Sequence, residues 1–287
     1  MMITHREIAI LRAVARYYVL NCRQIQRLYF PDDASGRVTR RRLQLLFSEK
    51  LVNRAPIQFA HPTSGSLGPV YFPTRKGNEL LADHFDDESY LSVSSRPPVP
   101  HHVWHWLAVA ETHMTLDRAL EAQCEVKIDG WINEYDELNA TESMPEKRYR
   151  LYTLLRDNPR LVCAPDASFM LSMNGHSKVF YLEQDRATSG TRQIAFSKTP
   201  GYAALAERAM HRRHFPSSTI DFFTVLMVTP GSSRRDALRK AIRGKPGAEL
   251  WKFATVDDLT DDAILYHKIW YPADDGPAGS LIKGQSS

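Results

Sequence analysis

The sequence predicts an α+β chain of two parts: a helical head closed by a β-hairpin, then a larger body of mixed strands and helices. Three observations carry this. The first 85 residues repeat apolar positions at helical spacing behind recognisable caps. Beyond residue 120 the chain holds β-type runs, two of them joined by Asn174-Gly175, the pair that a type I′ hairpin turn prefers. Between these regions, residues 86–100 (DDESYLSVSSRPPVP) are acidic and then rich in serine and proline, the composition of a linker. The expected domains are therefore 1–85, a linker at 86–100, a body at 101–271 and a loose tail at 272–287.

Composition narrows the function classes. With 43% hydrophobic and 24% charged residues the chain is not mostly disordered. Its longest largely apolar run, Phe222 to Val228, is far short of the roughly 20 residues that cross a bilayer. The N-terminus lacks the apolar core of a signal peptide. Cys22, Cys124 and Cys163 are too few and too scattered for a zinc site or a disulfide framework. The expectation is a cytoplasmic protein without a membrane partner. Charge is uneven: residues 1–80 hold 13 Lys+Arg against 5 Asp+Glu, and the rest hold 24 against 28. A basic head on a mildly acidic body suits a polyanion partner, although scattered surface charge gives the same totals.

The head reads in order. Thr4-His5-Arg6-Glu7 has the form of a capping box, followed by Ile8, Leu11, Ala15 and Tyr18 at helical spacing. Asn21 caps a short second helix with Ile25, Leu28 and Tyr29, and Pro31 ends it. Ser35 is expected to cap a third helix over 36–49. There Arg37, Arg40, Arg41 and Gln44 share one face, and Leu43, Leu46 and Phe47 another. Residues 51–59 read as a strand, 61–68 as a turn and 69–72 as the returning strand, with a further helix from Thr74. Three helices and a hairpin make a winged helix-turn-helix. Arginine can read guanine N7 and O6, glutamine can read adenine, and further arginines take phosphates. Arg37, Arg40, Arg41 and Gln44, with Arg54 on the following strand, are the candidate duplex-DNA contacts; a merely solvated basic face is the alternative.

In the body, His101 to Glu121 reads as a long helix, Cys124 to Ile132 as a strand, and 139–159 as a polar excursion. Arg160 to Leu171 and Lys178 to Asp185 read as strands. A helix at 194–214 is expected to break at Pro200-Gly201. A buried strand (221–229), a basic helix (233–244) and a last strand (250–254) follow. With a two-residue turn at Asn174-Gly175, paired positions sum to 349, so Asp166 faces Glu183, and Asp185 shares Glu183's side of the sheet. Like charges facing each other destabilise a sheet unless a cation, a proton or a basic neighbour answers them. Magnesium favours such oxygen ligands. A solvated acidic strand end without metal is the other reading.

The body resembles the PD-(D/E)xK nuclease fold, a restriction-endonuclease-like mixed sheet flanked by helices. Pro165-Asp166 resembles its first element and Glu183-Gln184-Asp185 its second, with Asp185 where the lysine belongs. Glu111 occupies the place of a further metal-binding glutamate, and Lys198-Thr-Pro-Gly-Tyr202 is similar to a K-x-x-x-Y pattern on the second helix of some members. The resemblance implies Asp166, Glu183, Asp185 and Lys198 as catalytic residues if the domain is active, and Glu111, Asp166 and Glu183 as magnesium ligands. The lost lysine implies that the nuclease-like domain is degenerate. Over residues 5–230 the chain is similar to the replication-relaxation family of plasmids and other mobile elements, on Arg40-Arg41-Arg42-Leu43, Pro165-Asp166-Ala167 and residues 183–188 (EQDRAT). That implies a duplex-DNA-binding protein acting in replication, mobilisation or transcriptional control, with a homodimer and replication or mobilisation proteins as partners. An active metal-dependent endonuclease or nickase is the alternative.

Overall fold

The computed structural model describes residues 3–57 and 68–282. The chain is α+β and forms two compact units, Met1–Met114 and Thr115–Ser287, the division falling inside one helix, α5 (Val103–Glu121). No helix among the described residues is long and apolar enough to cross a membrane.

The first unit runs α1 (His5–Tyr17), β1 (Leu20–Asn21), α2 (Cys22–Tyr29), α3 (Arg37–Ser48), β2 (Val52–Ala55), β3 (Val70–Pro73) and α4 (Arg75–Phe85). The caps follow the sequence. Thr4 and Glu7 close the capping box of α1, and Asn21 and Gln24 close that of α2. At α3 the expectation changes: the N-cap is Gly36, at φ 66°, and not Ser35. The Asp33 carboxylate reaches over instead, accepting from the Thr39 N–H at 2.9 Å and the Thr39 hydroxyl at 3.0 Å. The strands form a three-stranded antiparallel sheet in the order β1-β3-β2, with Leu20 opposite Tyr71 and Arg54 also opposite Tyr71. The expected end of the first hairpin strand and most of its turn, residues 58–67, lie outside the described residues. Ile10, Leu20, Ile25, Leu43 and Leu46 form the centre of the core, fully buried.

Residues 86–100, largely exposed as a linker would be, are tied down at a few points. Tyr90 and Val93 lie against this core, Asn78 donates to the Val93 carbonyl at 2.8 Å, and Tyr18 donates to the Arg96 carbonyl at 2.9 Å. A serine- and proline-rich segment stays down when its few apolar side chains and its carbonyls find partners.

The second unit is a six-stranded mixed sheet in the order β11-β10-β9-β8-β7-β4: β4 (Val126–Asn133), β7 (Ala167–Met173), β8 (His176–Gln184), β9 (Thr224–Thr229), β10 (Trp251–Thr255) and β11 (Tyr271–Pro272). The β4-β7-β8 part is antiparallel, β8-β9-β10 is parallel, and β11 returns antiparallel. The excursion before β7 holds α6 (Pro145–Arg148) and a small hairpin of β5 (Thr153–Arg156) and β6 (Leu161–Cys163). Helices α7 (Thr191–Glu207) and α9 (Ser232–Ile242) flank the sheet, and short α8 (His211–His214) and α10 (Ala263–Tyr266) complete the unit.

The Asn174-Gly175 turn has φ of 51° and 78°, the two positive values a type I′ turn needs. It sets the expected register: Ala167 faces Leu182 and Phe169 faces Phe180. Both faces of β8 are buried, so Met170, Val179 and Tyr181 are as much core as Phe169 and Phe180.

Two expectations fail here. Helix α7 runs through Pro200 without a break. Pro200 is exposed, and Gly201 brings the helix so close to β6 that a Cβ there would stand 2.5 Å from the Val162 carbonyl oxygen. The tail is not loose as far as residue 282: Tyr271 pairs with Phe253, Trp270 bridges Gly279 and is fully buried, and Ile282 is buried.

Candidate functional site

Helix α3 presents the first constellation. Arg37, Val38, Arg40, Arg41 and Gln44 are exposed, while Thr39, Leu43 and Leu46 are buried. The four predicted residues share the outer face but not the same freedom. Arg40 folds back to donate to the Ser35 carbonyl at 3.0 Å. Arg54 from β2 lies over the Phe47 ring at 4.3 Å and donates to the Gln44 side-chain carbonyl at 3.2 Å, which fixes that amide. Arg37 and Arg41 form no ion pair with another described residue. Arg42, third of the consecutive arginines, points elsewhere: it donates at 2.7 Å to Glu7, which is 1% exposed. Burial works against the Glu7 charge, but the Thr4 hydrogen bonds and Arg42 outweigh it and hold its pKa below 4.5.

The second constellation sits at the end of the β7–β8 hairpin, in the other unit. The 349 register ends at Ala167 and Leu182; just beyond it the Asp166 N–H donates to the same Leu182 carbonyl at 3.2 Å, and the Gln184 N–H donates to the Asp166 carboxylate at 2.7 Å. Asp166 and Glu183 thereby face α7, 12% and 5% exposed. One turn of α7 separates Lys198 from Tyr202, and both reach the pair. The Lys198 ammonium lies 2.7 Å from Glu183 Oε2 and 3.8 Å from Asp166 Oδ1, and donates to the Ala164 carbonyl at 3.1 Å. The Tyr202 hydroxyl donates to Glu183 Oε1 at 2.6 Å. Tyr202 is held against Trp251, with ring centres 5.1 Å apart.

The electrostatics follow from burial. Desolvation lifts the Glu183 pKa to about 7; Lys198 opposes that rise and Asp166 adds to it. Burial disfavours the Lys198 charge, but Glu183 and Asp166 outweigh burial and raise its pKa. Burial, then Glu183, raises Tyr202 well above an ordinary phenol. Cys163 is buried and its thiol is pushed up by desolvation, the opposite of an activated nucleophile.

Other carboxylates have partners of their own. Asp185 is engaged by Arg234 of α9, which donates from Nε to Oδ2 at 2.7 Å and from Nη2 to Oδ1 at 3.0 Å, and also to the Ser189 carbonyl at 2.6 Å. Glu111 lies in the first unit, where it accepts from Arg27 and from Gln24. His211 and His214 are buried; His214 sits 2.7 Å from the Tyr181 hydroxyl and 3.1 Å from the Thr153 hydroxyl, and burial takes its pKa down to about 4. Sequence reasoning misses Arg234, because nothing in a basic helix 49 residues away marks one arginine as the partner of Asp185.

The carboxylate oxygens of Asp166 and Glu183 are the hard donors magnesium takes. The Lys198 ammonium, 31% exposed, stands where a cation bridging the two carboxylates would sit.

An α+β protein with a mixed sheet flanked by helices, carrying a lysine-bridged carboxylate pair, is the class defined so far. The family profile described as replication-relaxation matches residues 11–217, and the chain belongs to that family. No curated protein matches the chain, and no solved structure does.

Proposed function

We propose that the chain binds duplex DNA of a plasmid or other mobile element, in replication, mobilisation or transcriptional control. Its first unit acts as a winged helix-turn-helix, and its second is a PD-(D/E)xK nuclease-like domain kept for contact or dimerisation. The observation that supports this best is α3. Its inner face is fully buried, and its outer face shows a row of long donors with Arg37 and Arg41 uncommitted among the described residues. The order helix, strand, two helices and a hairpin in a β1-β3-β2 sheet supports reading α3 as the recognition helix. Arg40, turned back onto its own helix, is the weakest of the expected contacts. Replacing Arg37 and Arg41 by Ala should weaken binding to a fluorescent duplex more than tenfold at 0.1 M salt, since removing each phosphate or base contact costs about 1–3 kcal/mol. Unchanged affinity in a folded variant contradicts the proposal.

One observation favours a second reading, a magnesium-dependent DNA endonuclease or nickase. Lys198 reaches the carboxylates from α7, the role the lysine of the motif would play. Bound magnesium would supply charge stabilisation at a phosphate. Asp166 and Glu183 would hold it, and Lys198, once displaced, would face the phosphate. Supercoiled plasmid incubated with magnesium separates the readings. Nicking by the wild type that disappears in Asp166→Ala and Glu183→Ala supports the enzyme; intact plasmid that the protein demonstrably binds supports the degenerate domain.

A further inference from the structure

Val38 stands at the edge of the basic face of α3, on the side of Arg41. It is 47% exposed, in the first turn of the helix, between Arg37 and Arg41. Nothing in the helix itself calls for it. A β-branched residue is a poor choice for an exposed helical site, and the inward contacts of α3 are made by Thr39, Leu43 and Leu46. Its neighbours narrow what it can meet. Arg42, one turn on, spends its guanidinium on Glu7. Arg41, at i+3, projects from the same face and is exposed.

Duplex DNA offers one apolar feature in the major groove, the C5-methyl of thymine. Residues in the first turn of a groove-inserted helix are those that reach base edges. The rise between positions 38 and 41, three residues at about 1.5 Å each, is about 4.5 Å, between one and two base-pair steps of about 3.4 Å. We propose that Val38 is a specificity residue that contacts a pyrimidine C5-methyl group, one or two steps from the base or phosphate taken by Arg41. This rests on the duplex-binding reading and adds to it the class of base read. The contact senses the methyl and not the base edge, so 5-methylcytosine satisfies it where cytosine does not.

The test begins with selection of bound duplexes from a randomised library by the wild-type chain. In the selected duplex each thymine is replaced singly by deoxyuridine, which removes only the methyl. At one position the wild type should lose about fourfold in affinity, the worth of one buried methyl. Val38→Ala, harmless to an exposed helix, should bind the deoxyuridine duplex as the wild type does and show no preference for thymine there. At that position 5-methylcytosine should bind better than cytosine for the wild type alone. If no position is sensitive to the methyl while Arg41→Ala still weakens binding, the Val38 proposal is overturned and the duplex reading stands. Full thymine preference in Val38→Ala overturns the Val38 proposal in the same way. A folded wild type that enriches no duplex overturns both.

Discussion

Replacing Lys198 with Met keeps the length of the side chain and removes the cation that bridges Asp166 and Glu183. In the wild type Glu183 titrates near 7 against an ordinary 4.5, so the folded protein already carries a penalty of about 3 kcal/mol for ionising it at pH 8. Removing one partner from a fully buried pair costs about 3–5 kcal/mol. Lys198 is 31% exposed, so water screens part of that, and about 2 kcal/mol is the expected loss at pH 8. The sign with pH is fixed. A carboxyl whose folded pKa is raised holds its proton in the folded state, so stability falls as pH climbs from about 4.5 through 7. Without the ammonium Glu183 rises further and that fall continues to higher pH. The variant should therefore match the wild type closely at pH 5 and diverge from it by pH 8. Urea unfolding followed by tryptophan fluorescence at the two pH values measures this, because Trp251 lies in the same core as Tyr202. Adding Glu183→Gln to Lys198→Met should return most of the missing stability. A loss that is equal at both pH values, or no rescue in the double variant, refutes the electrostatic account of the site.

Two further outcomes test the scaffolds of the two constellations. Gly201→Ala puts a methyl 2.5 Å from the Val162 carbonyl oxygen, forcing α7 away from β6 at a cost of about 1–3 kcal/mol; a wild-type melting temperature would show that the close approach is not needed. In the first unit the Glu7 pKa is depressed, so the stability it adds is present above about 4.5 and is lost as pH falls below that value. Acid titration of Glu7→Gln should lack that step, and an acid transition identical to the wild type's would remove Glu7 and Arg42 from the account.

The parts of the fold that are legible in the sequence are those set by local chemistry. Asn174-Gly175 dictates its own turn, and the turn dictates which residue faces which, so the sequence alone places Asp166 and Glu183 on one side of the sheet. The capping residues Thr4, Asn21 and Thr74 likewise announce their helices. Thr74 accepts from the Gly77 N–H at 2.9 Å as its position implies. What escapes depends on residues far apart in the chain. Pro200 reads as a break, but its exposed ring and the packing of Gly201 against β6 let the helix continue. Asp33 lies six residues before the Thr39 amide it serves, beyond the usual reach of a cap. Asp185, expected beside Glu183, is answered by Arg234, so the carboxylate pair bridged by Lys198 is Asp166 and Glu183. Segments 86–100 and 272–282 have the composition of linker and tail but are tied down at points such as Tyr90, Val93 and Gly279, by tertiary contacts that composition does not record.

The central claim is that α3 binds duplex DNA through Arg37 and Arg41, and the salt dependence of that binding tests it most directly. The logarithm of the association constant should fall linearly with the logarithm of salt concentration. The Arg37→Ala, Arg41→Ala double variant should show a slope shallower by about 2, one for each phosphate that is no longer neutralised. Equal slopes for the two proteins, or a wild-type chain whose binding ignores salt, would contradict the claim.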